Sequence, residues 1–136
     1  MAVKPPTLDD LARIAAAAPG YDVIIDDASH ASPHQQLAFR HLFPRLRSGG
    51  LYIIEDLHWQ SPVYEDIAGS LPVTAQFMIS YFERGEYIPN SILSSEFMSE
   101  VRRGTWSFAW FPSYVEPAGQ AKVLVIKKKT DAAAHL

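Results

Sequence analysis

The 136-residue sequence contains no cysteine, which excludes disulfides and thiolate metal sites and suits a reducing compartment. Its net charge is only −3, so it lacks the basic excess of proteins that bind nucleic acid or an anionic membrane surface. No apolar run reaches the roughly 18 residues that a membrane-spanning helix needs. The first residues, "MAVKPPTLDD", contain no signal-peptide apolar region. We therefore expect a cytoplasmic protein.

The length suits one domain with one core, and the order of elements predicts an α/β fold. Two short apolar runs, Tyr21–Asp26 and Leu51–Ile54, have the continuous apolarity of parallel strands buried on both faces. The segment between them predicts a helix that Ser32 caps, with Gln35 completing a capping box, and that Gly49-Gly50 ends. Residues 21–54 therefore read as one parallel βαβ unit.

The flanking segments add helices and a hairpin. Thr7 and Asp10 form the pattern of a capping box before a helix that Pro19-Gly20 stops. Residues 61–84 and Ser94–Arg103 predict two further helices. The strands "TWSFAWFP" and "KVLVIKKK" predict an antiparallel hairpin, with its aromatic residues in the sheet core. Residues 1–6 and 130–136 are expected to fray.

Each strand of the βαβ unit ends in two adjacent acids, Asp26-Asp27 and Glu55-Asp56. Parallel strands end at one edge of the sheet, where α/β proteins bind ligands. Carboxylates that face each other there repel unless a cation lies between them, and oxygen ligands suit Mg²⁺, Ca²⁺ or Mn²⁺. Because side chains alternate along a strand, one acid of each pair is expected to bind metal while the other caps a loop or helix.

Other interpretations of the same residues stay open. Acids after strands are often only caps of the next helix. His30 and His58 follow the acid pairs closely, and either could be a loop residue bonded to a backbone carbonyl. His34 and His41, one heptad apart on the predicted helix, are expected on its surface.

The stretch "YDVIIDDASHASPHQQLAFRHLFPRLRSGGLYIIEDLHW" resembles the class I S-adenosylmethionine-dependent methyltransferases that include the macrolide-sugar O-methyltransferases. That family shows D-D-G-S-H after its fourth strand, L-F-P-x-L-x-x-G-G-x-Y before its fifth, and E-D-x-H after it. Here Ala28 stands in place of the family's glycine. The corresponding positions in this sequence are Asp26, Asp27, Ser29 and His30; Leu42, Phe43, Pro44, Leu46, Gly49, Gly50 and Tyr52; and Glu55, Asp56 and His58.

The resemblance implies a Rossmann-like methyltransferase sheet and an O-methyltransferase that uses a divalent cation, Mg²⁺ or Mn²⁺, to hold a sugar hydroxyl. The implied metal ligands are Asp26 or Asp27 together with Asp56, with Glu55 in support. It also implies His58 as the preferred proton acceptor and His30 as the second candidate, with Asp26 and Ser29 contacting the cofactor. A histidine with a pKa near 6.5 can accept a proton from a polarised hydroxyl.

The sequence departs from the family in having no G-x-G turn, which in the family holds the cofactor after the first strand. The chain therefore resembles the C-terminal half of such an enzyme, and we expect it to bind S-adenosylmethionine weakly or not at all by itself. It would be a methyltransferase or a piece of one. The alternatives are a non-catalytic remnant that acts as a binding or oligomerisation module, and a metal-dependent hydrolase.

The strand Tyr21–Asp26 would lie at an exposed edge if its neighbour is absent. It has no Lys, Pro or Gly to block pairing. We therefore expect a homodimer, or association, through this edge, unless helix Leu8–Ala18 folds over it.

Overall fold

The computed structural model describes residues 7–58, 71–115 and 118–131. Four strands form one sheet in the order β1-β2-β4-β3, and the predicted α/β fold is confirmed. In chain order the elements are α1 (Leu8–Ala16), β1 (Tyr21–Asp26), α2 (Ser32–Leu42), a 3₁₀ turn (Phe43–Arg45), β2 (Leu46–Ile54), α3 (Thr74–Arg84), α4 (Ser95–Gly104), β3 (Thr105–Pro112) and β4 (Ala121–Lys128).

Strands β1 and β2 are parallel, as the βαβ pattern predicts, and their register pairs Asp26 with Ile54. Both strands therefore end at the same level of the sheet. Strand β4 is antiparallel to β2 and to β3, which confirms the predicted hairpin. This topology brings the two acidic segments that follow β1 and β2 side by side.

The core lies on one face of the sheet, under the helices. Tyr52 of β2 is fully buried and meets Phe39 of α2 edge to face, with ring centroids 5.0 Å apart. Phe108 of β3 stacks on Phe82 of α3 at 4.7 Å. On β1 the side chains of Val23 and Ile25 point the other way and are 49% and 57% exposed. The prediction that β1 is buried on both faces is therefore wrong within the described residues, because one face of the strand is exposed.

The path from α2 into β2 differs from the prediction. Ala31, not Ser32, is the N-cap. Ser32 is the first helical residue, and its buried hydroxyl accepts the backbone N–H of Thr74 at 3.1 Å. The helix ends at Leu42 because Pro44 lacks the N–H that would continue it. The strand then begins at Leu46, five residues before the predicted start.

Gly49 lies inside β2 with a φ of 77°, and its N–H donates to the carbonyl of Lys129. Glycine adopts this φ without steric cost, so Gly49-Gly50 belongs to a strand irregularity and not to a helix end.

Three other expectations have definite outcomes. Thr7 and Asp10 form the predicted capping box of α1. The aromatic residues of the hairpin do not all lie in the sheet core as predicted. Phe108 packs against the core, whereas Trp106 is 71% exposed. Of the predicted 61–84 helix, Thr74–Arg84 is helical and residues 61–70 lie outside the described part.

Among the described helices, none has the length and apolarity to cross a membrane.

Candidate metal centre

One acid from each pair meets His30 at the carboxyl end of the parallel strands. The Nε2 atom of His30 lies 3.6 Å from Oδ2 of Asp56 and 3.9 Å from Oδ1 of Asp27. Ligand atoms of these three residues all lie within 4.8 Å of one another. The β1–α2 loop supplies Asp27 and His30, and the segment after β2 supplies Asp56. The parallel pairing of β1 with β2 therefore builds this cluster from two separate segments.

The backbone at the cluster is strained. His30 has a φ of 62° and Asp56 a φ of 55°, and no other non-glycine residue in the described part has a positive φ. This left-handed conformation costs an L-residue roughly 1–2 kcal/mol. Such residues concentrate at binding and active sites, where the surrounding structure enforces them. Here both fall in one three-residue cluster.

Asp26 and Glu55 are not members of this cluster. The carboxylate of Asp26 accepts the N–H of Ala28 in a long contact of 3.4 Å. Burial raises the pKa of Asp26 above its usual range, and the bond from Ala28 opposes that shift. The N–H of Glu55 donates to the carbonyl of Asp26. One acid of each pair thus lies in the cluster while its neighbour does not. Asp56 lies beyond the end of β2 and has a left-handed φ, so strand alternation does not set its direction.

A hydrogen bond between Ser29 and His34 fixes the loop that carries His30. The Ser29 hydroxyl lies 2.5 Å from Nδ1 of His34 and also accepts the N–H of Ala31 at 3.3 Å. His34 is half-buried at this contact, and it is not one of the three cluster residues. The five-residue spacing from a loop serine to a first-turn histidine is the signal that sequence reasoning missed.

His58 follows the cluster residue Asp56 by two positions. The N–H of the intervening Leu57 donates to the carbonyl of Lys122, which ties this segment to β4. Among the residues that the structure describes, no hydrogen-bond partner is found for the buried Nδ1 of His58.

The strand order and the strand directions define a Rossmann-like α/β fold of the methyltransferase type, with an acidic cluster at its carboxyl edge. No protein-family profile matches the chain. Individual proteins do, over about a third of the chain.

The chain is 55% identical over 47 residues to 8-demethyl-8-(2-methoxy-alpha-L-rhamnosyl)-tetracenomycin-C 3'-O-methyltransferase of Streptomyces olivaceus. It is 49% identical over 47 residues to demethylmacrocin O-methyltransferase of Streptomyces fradiae and to mycinamicin VI 2''-O-methyltransferase of Micromonospora griseorubida. Each match covers 35% of this chain and 12% of the relative. The resemblance to the macrolide-sugar O-methyltransferases is thus confirmed over part of the chain.

Solved structures extend the likeness to nearly the whole chain. MycE methyltransferase from the mycinamycin biosynthetic pathway, in complex with Mg and SAH, aligns with 96% of this chain at a TM-score of 0.58 and 23% identity. Its complex with Mg, SAH and mycinamycin VI aligns at a TM-score of 0.55 and 25% identity. This chain spans 31% of either MycE chain. The predicted methyltransferase fold is therefore confirmed, on a chain about a third as long as the solved enzyme.

Proposed function

We propose that this chain carries the metal-binding and proton-accepting part of an S-adenosylmethionine-dependent O-methyltransferase that acts on a hydroxyl of a small molecule such as a sugar. The observation that carries the proposal is the meeting of Asp27, His30 and Asp56 at the carboxyl edge, with positive φ at two of the three. The names of the similar proteins supply the reaction class, since all are O-methyltransferases and MycE binds Mg.

The cluster fits a divalent cation. Mg²⁺ and Ca²⁺ bind oxygen ligands at about 2.0–2.6 Å, so two ligand atoms on opposite sides of one ion are about 4–5 Å apart. The three ligand atoms of the cluster lie within 4.8 Å of one another. Two carboxylates at this distance repel when both are ionised, and a cation between them removes that repulsion. Asp27 and Asp56 would hold the ion, with His30 as the third ligand and Asp26 and Glu55 in support.

A cation held there would polarise a substrate hydroxyl and lower its pKa. The protein's own contribution is to hold Asp27 and Asp56 at a fixed separation and to offer a base beside them. We assign the base to His58, because it follows the cluster residue Asp56 by two positions and the resemblance to the O-methyltransferases implies it as the proton acceptor. His30, the second candidate, lies between the two carboxylates, where its ring is engaged with them. Asp26 and Ser29 are proposed to contact the cofactor.

Manganese binding tests the site directly. Electron paramagnetic resonance measures free Mn²⁺ in a titration of the protein, and we expect saturable weak binding by the unmodified chain. Asp27→Asn and Asp56→Asn should each weaken it at least about tenfold, which corresponds to the loss of about 1.4 kcal/mol. Asp22→Asn is the matched control, because Asp22 lies on the same strand as Asp26 and its exposed carboxylate pairs with Arg47. Equal affinity in all four proteins would contradict the proposed metal site.

The alternative, a non-catalytic module, finds support in the exposed apolar side chains of β1. Val23 and Ile25 are about half exposed, and β1 is an edge strand within the described part. We propose that this edge is an association surface. The homodimer expected from the sequence, and the cytoplasmic location, stay predictions.

A further inference from the structure

A pocket of about 280 Å³, here called the hairpin pocket, lies at the open end of the β3–β4 hairpin. It is lined by Trp106 of β3, by Lys127 and Lys128 of β4, and by Thr130. Lys127 pairs with Leu51, in the middle of β2, whereas the metal cluster follows the last residue of β2. The hairpin pocket is therefore built by β3, β4 and the residue that lines it after β4, at the end of the sheet remote from the metal cluster.

A bulge in β3 sets the aromatic wall of the hairpin pocket. Thr105 pairs with Lys128. Ser107, two residues on, pairs with the adjacent Lys127, so Trp106 has no partner in the ladder. Such bulges re-aim a side chain, and they are over-represented next to active sites. The indole of Trp106 is 71% exposed, although tryptophan is highly buried on average. The bulge thus presents an aromatic ring at the mouth of the pocket.

The two lysines of the hairpin pocket lack acidic partners. Among the residues that the structure describes, neither Lys127 nor Lys128 forms an ion pair. The ammonium of Lys128 is held in place, because it donates to the carbonyl of Leu46 at 2.8 Å and lies 5.6 Å from the ring centroid of Phe43. A lysine has three N–H donors, so Lys128 retains two for another acceptor. The pocket therefore carries positive charge that suits an anion.

Backbone hydrogen bonds hold the wall of the hairpin pocket that follows β4. The N–H of Lys129 donates to the carbonyl of Gly104 at 2.8 Å, and the carbonyl of Lys129 accepts the N–H of Gly49 at 3.0 Å. A Cβ at Gly49 would lie 3.0 Å from Cγ2 of Thr130, so the glycine leaves room for the threonine. These contacts preform the wall, as is usual for small-molecule sites.

We propose that the hairpin pocket binds a small aromatic carboxylate. The ring of the ligand stacks on the indole of Trp106, and its carboxylate accepts hydrogen bonds from Lys127 and Lys128. The volume of about 280 Å³ lies just below the roughly 300–1,000 Å³ of sites for drug-sized ligands, which limits the ligand to one or two rings. This site is separate from the proposed methyl-transfer site and does not depend on it.

Naphthoate tests the proposal, with EDTA present so that the metal site plays no part. The readout is the indole N–H resonance of Trp106 in proton–nitrogen correlation NMR spectra, assigned by its loss in Trp106→Phe. We expect this resonance to shift saturably at millimolar concentrations of naphthoate. The indole of Trp110 donates to Glu83 and does not line the pocket, so its resonance is the internal reference and should not shift.

Two related compounds separate the charge of the ligand from its ring. Naphthamide keeps the two rings and lacks the charge, whereas cyclohexanecarboxylate keeps the carboxylate and lacks the aromatic face. Each should bind at least about threefold more weakly than naphthoate, because an exposed ion pair and a pair of stacked rings each change affinity by about two- to tenfold.

Lys127→Gln and Lys129→Gln are the matched variants of the protein. Lys129 is exposed and does not line the pocket, so Lys129→Gln should bind naphthoate as the unmodified protein does. Lys127→Gln should bind about threefold more weakly. Trp106→Leu should show a similar loss, followed at the backbone N–H of Lys127. The unchanged indole resonance of Trp110 checks that each variant is folded.

Three results would overturn the proposal. They are the absence of a saturable shift at Trp106, equal affinity for naphthoate and naphthamide, and equal affinity of the two lysine variants for naphthoate.

Discussion

Replacing Asp56 by glycine and by alanine separates the strain of the candidate metal centre from its charge. Both changes remove the carboxylate. Only glycine accepts the φ of 55° without steric cost, whereas alanine retains the Cβ that clashes there. A left-handed L-residue costs roughly 1–2 kcal/mol, and the greater freedom of glycine in the unfolded chain offsets about 0.4–1 kcal/mol of the gain. We expect Asp56→Gly to be more stable than Asp56→Ala by about 1 kcal/mol, or about 4 °C in Tm.

The same pair of variants reports on the cation. A ligand that binds only the native state, at ten times its Kd, stabilises that state by RT ln 11, about 1.4 kcal/mol. The unmodified protein should gain this in Mn²⁺, and both variants should gain almost nothing. Scanning calorimetry with and without Mn²⁺ gives all six melting temperatures. Equal stability of the two variants would refute the strain at Asp56. If Mn²⁺ raised the Tm of both variants as much as that of the unmodified protein, the ion would bind outside the cluster.

Three further measurements test other parts of the structure. Phe39→Ala removes a fully buried ring packed on Phe43 and Tyr52 and should cost about 3–5 kcal/mol in urea denaturation, while Phe111→Ala, 54% exposed, should change stability by less than about 0.5 kcal/mol. Hydrogen bonds from Thr7 lower the pKa of Asp10 from 3.8 to about 2, so its stabilising effect is complete above pH 3.8 and is lost as the pH falls toward 2. The urea midpoint of Asp10→Ala should therefore approach that of the unmodified protein across this window. Titration calorimetry should find weak or no binding of S-adenosylmethionine, and micromolar affinity would contradict that expectation.

The sequence supported the βαβ unit because its signals are local and agree with one another. The apolar run before Asp26 and the run before Glu55 predict strands, and a helix between them makes the strands parallel. Parallel pairing then places both acid pairs at one edge without further information. The meeting of Asp27 with Asp56 follows from this topology together with the left-handed backbone at Asp56, just beyond the end of β2.

Other features depend on contacts between distant residues. Serine is a common N-cap residue, but the hydroxyl of Ser32 accepts the N–H of Thr74, 42 positions away. Gly49 and Arg47 suggest a helix end, yet both lie inside β2, where the N–H of Gly49 donates to the carbonyl of Lys129. Nothing in the helix pattern distinguishes His34, and its hydrogen bond with the loop residue Ser29 appears only in the structure. Local propensity could not decide these cases, because the competing interaction comes from another element.

The strained residues also explain how the cluster keeps its shape while its two carboxylates repel. Hydrogen bonds hold the neighbours of each strained residue. Before Asp56, the N–H of Glu55 donates to the carbonyl of Asp26 in β1. After it, the N–H of Leu57 donates to the carbonyl of Lys122 in β4. His30 lies between Ser29, whose hydroxyl is bonded to α2, and Ala31, whose N–H donates to that hydroxyl. Relaxing either φ would break bonds on both sides at once, and each is worth about 1 kcal/mol net. The sheet and α2 thus hold the cluster in a geometry that it would not adopt alone, which is the condition for a site that is formed before its ligand arrives.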